Sequence, residues 1–326
     1  MSGLAELKSQ LVLPVLCSPM FIVSGPELVF AQCVNGVIGS FPALNARPQS
    51  LLDEWLTKLV ADLEAYKTAH PGKKIAPYAV NQIIHKTNER LEDDFDVLEK
   101  HQVPIIITSL RAPTAYVPRV HRWGGKIFHD VINLRHAEKA LEAGVDGLIL
   151  VCSGAGGHAG RLNPMAFVAE VRRFYDGPII LSGSITKGEH ILAALAMGAD
   201  LAYIGTRFIA TEEANAVLPY KEMITASSAT DIIYTNYFSG TFGSYMRQSI
   251  EAAGLDPTAL VHEEHEKGTM VFATGDDTRK VGKKAWKDIW SAGQGVGAIT
   301  DCPTVETLIA RMVQEFEQAK QKVKEL

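Results

Sequence analysis

Short runs of continuously apolar, β-branched residues alternate with segments of helical spacing along most of the chain. The runs are "LVLPVLCSPM" (11–20), "GVIGSF" (36–41), "IAPYAVNQI" (75–83), "VPIIITSL" (103–110), "GKIFHDV" (125–131), "VDGLILVC" (145–152), "GPIILSG" (177–183) and "DLAYIGTRF" (200–208). Most are apolar throughout instead of alternating, which predicts strands covered on both faces, as in a parallel sheet flanked by helices. The segments between them read as helices. "LRHAEKALEAG" (134–144) closes on Gly144, where a helix stop is expected, and Asn163 with Pro164 reads as an N-cap followed by the first helical position. Eight such strand–helix units at roughly even spacing predict a (β/α)8 TIM barrel, with a doubly wound open sheet as the competitor. In a barrel the chemistry sits at the carboxyl ends of the strands.

The rhythm stops after Phe208. Residues 211–285 hold helical patches, the aromatic run "IIYTNYFSGTFGSYM" and the polar stretch "ATGDDTRK", with no strand repeat. We read 211–285 as a helical lid inserted after strand eight, and 1–210 with 286–326 as one barrel. "SAGQGVGAI" and an amphipathic helix from about Pro303 would then complete it.

Composition narrows the class. With 326 residues, 47% of them hydrophobic and 21% charged, the chain can bury a large core, and its formal charge of −5 argues against nucleic acid or an anionic membrane as partner. Cys17, Cys33, Cys152 and Cys302 form no C-x-x-C pair, so neither a zinc ribbon nor a disulfide framework is expected, and a reducing, cytoplasmic setting fits best. The first ten residues do not read as a signal peptide, and no apolar run approaches the length of about 18 residues that spans a bilayer.

Residues 154–159, G-A-G-G-H-A, formally satisfy a dinucleotide fingerprint. The following helix starts too late, however, and the next strand ends "ILSG" without the carboxylate that such a site needs about 20 residues on. A metal site is disfavoured because His158 has no second ligand at suitable spacing. Cys152 ends a strand where a nucleophile could stand, although burial in the core is the commoner fate of cysteine. His158 is either a solvated loop histidine or a functional group at the active end of a strand.

A second signal lies in "ILSGSITKGEH" (180–190) and "YIGTRF" (203–208). Barrels often bind phosphate at the loops after strands seven and eight. Gly183 and Ser184 on one strand, and Gly205 and Thr206 on the next, could offer N–H and hydroxyl donors to a phosphate monoester. They could also simply make turns.

Taken together, "CSPM", "YAVNQ", "GAGGHAGR", "LSGSITKG", "LAALAMGADLAYIGTRF" and "SAGQGVGAI" resemble the nitronate monooxygenase family, formerly called 2-nitropropane dioxygenases. That family is similar to FMN-dependent enoyl-acyl-carrier-protein reductases and NAD(P)H:quinone reductases. The resemblance spans residues 11 to about 210 and resumes at 291–312. It implies FMN as cofactor, with Gly183, Ser184, Gly205 and Thr206 around its phosphate. Met20 would lie against the ring, Asn81 and His129 would contact the cofactor, and Gln294 would complete the cradle. His158 would face the substrate, stabilising a nitronate's charge or transferring a proton, as a histidine titrating near neutrality can.

One position departs from the family pattern. Many members carry His-Lys where this chain has His129-Asp130, and a carboxylate there would disfavour an anionic reduced flavin. Asp130 could equally cap a helix. Tyr234, Tyr237, Phe238, Phe242 and Tyr245 could line a substrate pocket, though lid packing is the commoner role of such a stripe. The resemblance therefore implies an FMN-dependent oxidoreductase that oxidises alkyl nitronates with molecular oxygen. Alternatives are an NAD(P)H-dependent enoyl-thioester or quinone reductase on the same barrel, and a flavin-binding protein without turnover. The oligomeric state is not legible.

Overall fold

The computed structural model describes residues 2–260 and 289–325. In chain order its strands are β1 (Val15–Cys17), β2 (Gly39–Pro42), β3 (Tyr78–Ile84), β4 (Ile105–Leu110), β5 (Lys126–Val131), β6 (Gly147–Val151), β7 (Gly157–His158), β8 (Ile179–Ser182), β9 (Leu201–Ile204), β10 (Ile232–Thr235) and β11 (Gly243–Met246). Each of the eight expected strands is present, as β1–β6, β8 and β9, mostly shorter than the apolar run that announced it. They pair in parallel in the order β1-β9-β8-β6-β5-β4-β3-β2. The two ends of that order meet through Leu16 and Ile38: the Cys17 N–H donates to the Ile38 carbonyl at 2.8 Å and the Ile38 N–H to the Val15 carbonyl at 3.0 Å. A doubly wound sheet would leave two unpaired edges, so this bridge decides for a nearly closed barrel.

Successive side chains of a strand point to opposite faces, and here the two faces meet different cores. Leu16, Ile38, Ala79, Ile107, Phe128, Ile149, Ile180 and Leu201 pack into the lumen. Their neighbours, such as Cys17, Val80, Ile106, Ile127, Leu150, Leu181 and Ala202, pack outward against the helices. Because both sets are apolar, the strands read as continuous runs. Helix starts follow the caps expected from sequence: Asn163 accepts from the Met165 N–H at 2.9 Å ahead of the helix Pro164–Val171. The returning helix begins at Val305, two residues after the expected start, because Thr304 caps it and both oxygens of Glu213 take the Val305 N–H at 3.0 Å. This helix, Val305–Lys324, packs against the helices Gly188–Ala196 and Pro26–Val34.

The segment after β9 differs from the helical lid expected of it. Its described part carries the helices Leu218–Ala226 and Arg247–Ala252, but between them β10 and β11 form an antiparallel hairpin with β7 added to its edge. Aromatic and β-branched residues flank a turn at Gly240, which takes φ +71°, so the aromatic run reads in retrospect as a hairpin signal. "ATGDDTRK" and the 285/286 boundary lie outside the described residues. Among the described residues no helix is long and apolar enough to cross a membrane, and no group of three or more His, Cys, Asp or Glu is placed to hold a metal ion.

Candidate active site

Two residues beyond the apolar lumen layer, toward the strands' carboxyl ends, the same face carries Ser18, Ser40, Asn81, Ser109, Asp130, Val151, Ser182 and Tyr203. All but Val151 are polar, so the lumen changes from hydrocarbon to hydrogen-bonding groups at its mouth. On one side these form a chain: Asn81 Nδ2 donates to Ser109 Oγ at 2.9 Å and to the Ile107 carbonyl at 3.3 Å, and Ser109 Oγ donates to Asp130 Oδ2 at 2.6 Å. Asp130 Oδ1 is buried and has no partner among the described residues. Burial pushes the Asp130 carboxyl up to about 7, partly opposed by the Ser109 hydrogen bond. The Tyr203 phenol is raised well above its usual value, chiefly by burial and then by Asp130.

Across the mouth lies a glycine-lined cradle. Gln294 N–H donates to the Gly154 carbonyl at 2.9 Å, Ser184 Oγ reaches the same carbonyl at 3.4 Å, and Gly293 N–H donates to Thr206 Oγ1 at 2.9 Å. Gly154 takes φ +83°, and a Cβ there would stand 2.3 Å from Ser184 Oγ, so the crossing of these loops requires glycine. A Cβ on Gly205 would meet Ser18 Cβ at 3.1 Å and Met20 Sδ at 3.6 Å, which sets Met20 beside the end of β9. Met20, Gly183, Ser184, Gly205, Thr206 and Gln294 are thus gathered at the carboxyl ends of β1, β8 and β9. In the ring order these strands face β3 and β4 across the lumen, so Asn81 stands on the opposite wall.

His129 does not join this group. It shares the outward parity of Ile127, is 2% exposed, and its Nδ1 bonds Thr108 Oγ1 at 2.8 Å on the same outer face. Burial lowers it to about 4. Cys152 also faces outward and burial pushes its thiol up to about 12, which favours the core role over a nucleophile.

His158 lies in β7, paired with Gly243 of β11, while Gly157 pairs with Ser244. Its Nε2 is 2.9 Å from Ser239 Oγ, and Ser239 donates to the Thr241 carbonyl at 3.0 Å. The same hydroxyl lies 3.2 Å from the Tyr245 hydroxyl, so Ser239 ties the imidazole to the hairpin. The Tyr234 hydroxyl bonds the Ala159 carbonyl at 2.6 Å, and the Ala159 N–H bonds the Phe242 carbonyl at 3.3 Å. Tyr234 and Phe242 stack at 5.1 Å, with the Arg161 guanidinium over both rings. Enclosure between the loop and the hairpin lowers His158 to about 4. The imidazole is therefore neutral at physiological pH, not titrating near neutrality as its sequence context suggested.

Sequence reasoning missed Asn45. Its Oδ1 accepts from the Ile22 N–H at 3.0 Å, and its Nδ2 donates to the carbonyls of Met20 at 3.0 Å and Ser24 at 2.8 Å. This clamp holds Ile22 at φ +67°, a backbone conformation that β-branched residues rarely adopt. Leu110 at φ +82° and Ser184 at φ +55° are likewise strained, at the last residue of β4 and just after β8. Such strain concentrates where function needs it, and here it rims the mouth. Ser109 and Tyr203 were also missed, although counting two residues past each lumen position would have found them. A cavity of about 1200 Å³ between the helices Pro26–Val34 and Leu51–Ala69, lined in part by Phe30, Trp55 and Tyr66, lies outside the barrel and holds none of the strand-end polar groups.

Residues 6–315 match the family model for nitronate monooxygenase. A nitronate monooxygenase from Paraburkholderia phytofirmans is 25% identical, over 96% of this chain and 94% of its own. A probable nitronate monooxygenase from Staphylococcus aureus is 24% identical, over 94% and 95%. Among solved structures, FabK from Thermotoga maritima superposes with a TM-score of 0.76 at 24% identity, covering 99% of this chain and 97% of that one. A nitroalkane oxidase from Streptomyces ansochromogenes gives 0.72 at 20% identity, over 97% and 99%. At those identities the structural likenesses speak for the barrel architecture alone.

Proposed function

The chain belongs to the nitronate monooxygenase family of oxidoreductases, and on that premise we propose that it binds FMN and oxidises alkyl nitronates with molecular oxygen. The observation that carries this reading is the two-sided mouth: a glycine-lined cradle of hydroxyls and amides at β8 and β9, facing a polar wall on β3, β4 and β5. The residues fit the cofactor. The cradle is built from positions without Cβ atoms, where main-chain N–H groups can reach a phosphate. The orphaned Asp130 Oδ1 and the Asn81 amide suit the polar edge of a flavin.

Bound flavin would supply the electron transfer. The chain would do the rest. Ser184, Thr206 and the amides at Gly183 and Gly205 would anchor the phosphate, and Gln294 would complete the cradle. Met20, held by Asn45, would pack one face of the ring. His158, neutral and held by Ser239, would meet the substrate's nitro group as an uncharged hydrogen-bonding imidazole. The hairpin β10–β11 would exclude water from that side, the role left to the lid.

Anaerobic mixing with a nitronate tests the reading. The flavin of the reconstituted protein should bleach with nitronate and recover its colour on admission of oxygen. Bleaching by NADH or NADPH, with none by any nitronate, would overturn it in favour of an NAD(P)H-dependent enoyl-thioester or quinone reductase. Flavin uptake without bleaching by either would leave a binding protein without turnover. The small-molecule substrate and a cytoplasmic setting belong to the same proposal.

A further inference from the structure

We propose that Asp130, as a carboxylate, accepts the imide N–H of the bound ring and thereby holds the cofactor at a low reduction potential. This rests on the FMN reading above and adds what this particular chain does to that cofactor.

Three observations lead to it. First, one oxygen of Asp130 is satisfied by Ser109 while the other is buried with no donor among the described residues. An unpaired buried acceptor of this kind is costly, more so when charged, and calls for a ligand donor. Second, its position is opposite the cradle. The phosphate donors lie at β8 and β9, and the ring order sets β3 and β4 across from them with β5 adjoining. A flavin anchored by its phosphate therefore extends toward Asn81, Ser109 and Asp130. The edge of the ring that offers a donor is the imide, and Asp130 Oδ1 is the acceptor left open for it.

Third, among the described residues nothing cationic offsets the charge. The groups that act on Asp130 are burial and the Ser109 hydroxyl. Tyr203 faces it from β9 with its phenol protonated, and His129, next along β5, is neutral and on the other face. An unscreened carboxylate in a low-dielectric mouth interacts strongly with charge added nearby. It leaves oxidised flavin comfortable and opposes the negative charge that reduction brings.

The test uses the full chain, stripped of flavin and titrated with FMN between about pH 5.5 and 8.5 by fluorescence quenching, with midpoint potentials taken against reference dyes. In the wild type, FMN affinity should rise as pH climbs through the titration of Asp130 and then level off. Asp130→Asn keeps an acceptor and removes the charge. It should retain FMN, keep only the rise near about pH 6 that the cofactor's own phosphate brings, and favour reduced over oxidised flavin by about tenfold or more relative to wild type, about 30 mV upward for a two-electron couple. Ser109→Ala, which removes the bond that supports the carboxylate, should move the wild-type break to higher pH. Should Asp130→Asn not fold, the wild-type titration with riboflavin, which carries the same imide and no phosphate, decides. An affinity that falls as pH rises, as a protonated acid donating to a ring carbonyl would give, overturns the proposal. So does a flat curve with equal potentials in wild type and Asp130→Asn. A wild-type chain that takes up no FMN at any pH sinks the FMN reading along with it, which sets that failure apart from the others.

Discussion

His158 stands directly opposite Gly243 across an antiparallel ladder. The glycine-rich loop after β6 is therefore also the edge strand of a small sheet supplied by the chain some 80 residues later. This pairing makes the position of His158 a property of the hairpin as much as of its own loop.

Replacing that side chain should separate chemistry from cofactor binding. His158→Ala should lower turnover of a nitronate by about 10²–10³-fold, the usual scale for losing one positioned hydrogen bond to developing charge, with FMN still bound. Ser239→Ala, which removes the bond that holds the ring to the hairpin, should reduce it less. Steady-state oxygen uptake measures both, and full activity in His158→Ala with every nitronate tried would remove the residue from the mechanism.

The pH profile of kcat/KM should carry no limb near 6.5, because enclosure holds His158 down to about 4. Asp130 titrates up to about 7 without flavin, so any limb it contributes in the FMN-bound enzyme should lie lower, because the imide N–H favours the carboxylate, and should vanish in Asp130→Asn. If that variant instead kept a limb at 6.5, the histidine would be solvated after all.

Asp130 also predicts a stability effect with a definite sign. Its folded value, about 7, lies above the ordinary 3.8, so the folded chain holds the proton more tightly than the unfolded one. Stability of the flavin-free protein should thus fall as pH rises from about 4 to 7, by an amount of the order of 4 kcal/mol. Asp130→Asn should melt several degrees higher than wild type at pH 8 and show little or no gain at pH 4.5. Calorimetry at the two pH values checks this, and equal gains at both would contradict it.

Asn45→Ala should release the Met20–Ser24 loop. Three hydrogen bonds go, at about 1 kcal/mol each, together with the restraint on Ile22. Thermal stability and FMN retention should both fall. Adding Ile22→Gly should recover part of the loss, since glycine takes φ +67° without strain. No recovery in the double variant would mean that the loop's strain is not what Asn45 restrains.

Two neighbouring glycines give a matched comparison. Gly154→Ala drives a methyl into Ser184 Oγ and should abolish FMN uptake in a chain that still folds. Gly157→Ala also sits at positive φ, +68°, but meets open space, so it should cost only about 1 kcal/mol of backbone strain. Circular dichroism with flavin fluorescence distinguishes them, and equal retention of FMN would remove Gly154 from the cradle.

How much of this was legible beforehand depends on the range of the interaction. The apolar runs announced all eight barrel strands because strands covered on both faces must be apolar throughout, and caps such as Asn163 act within one turn of chain. Gly183, Ser184, Gly205 and Thr206 were readable for the same reason: each ends a strand whose end is visible in the sequence. The barrel's closure through Leu16 and Ile38 was not readable, since register is set by partners distant in sequence.

The sequence by itself determined which residues are strands, which ends are polar and which loops lack side chains. Only the tertiary structure decided that His129 faces away from the lumen while Asp130, one residue on, faces into it. It alone turned an aromatic stretch into the hairpin that encloses His158, and so made that imidazole neutral. The physical reason is common to both. Facing and desolvation depend on what packs against a residue, and those neighbours arrive from elsewhere in the chain.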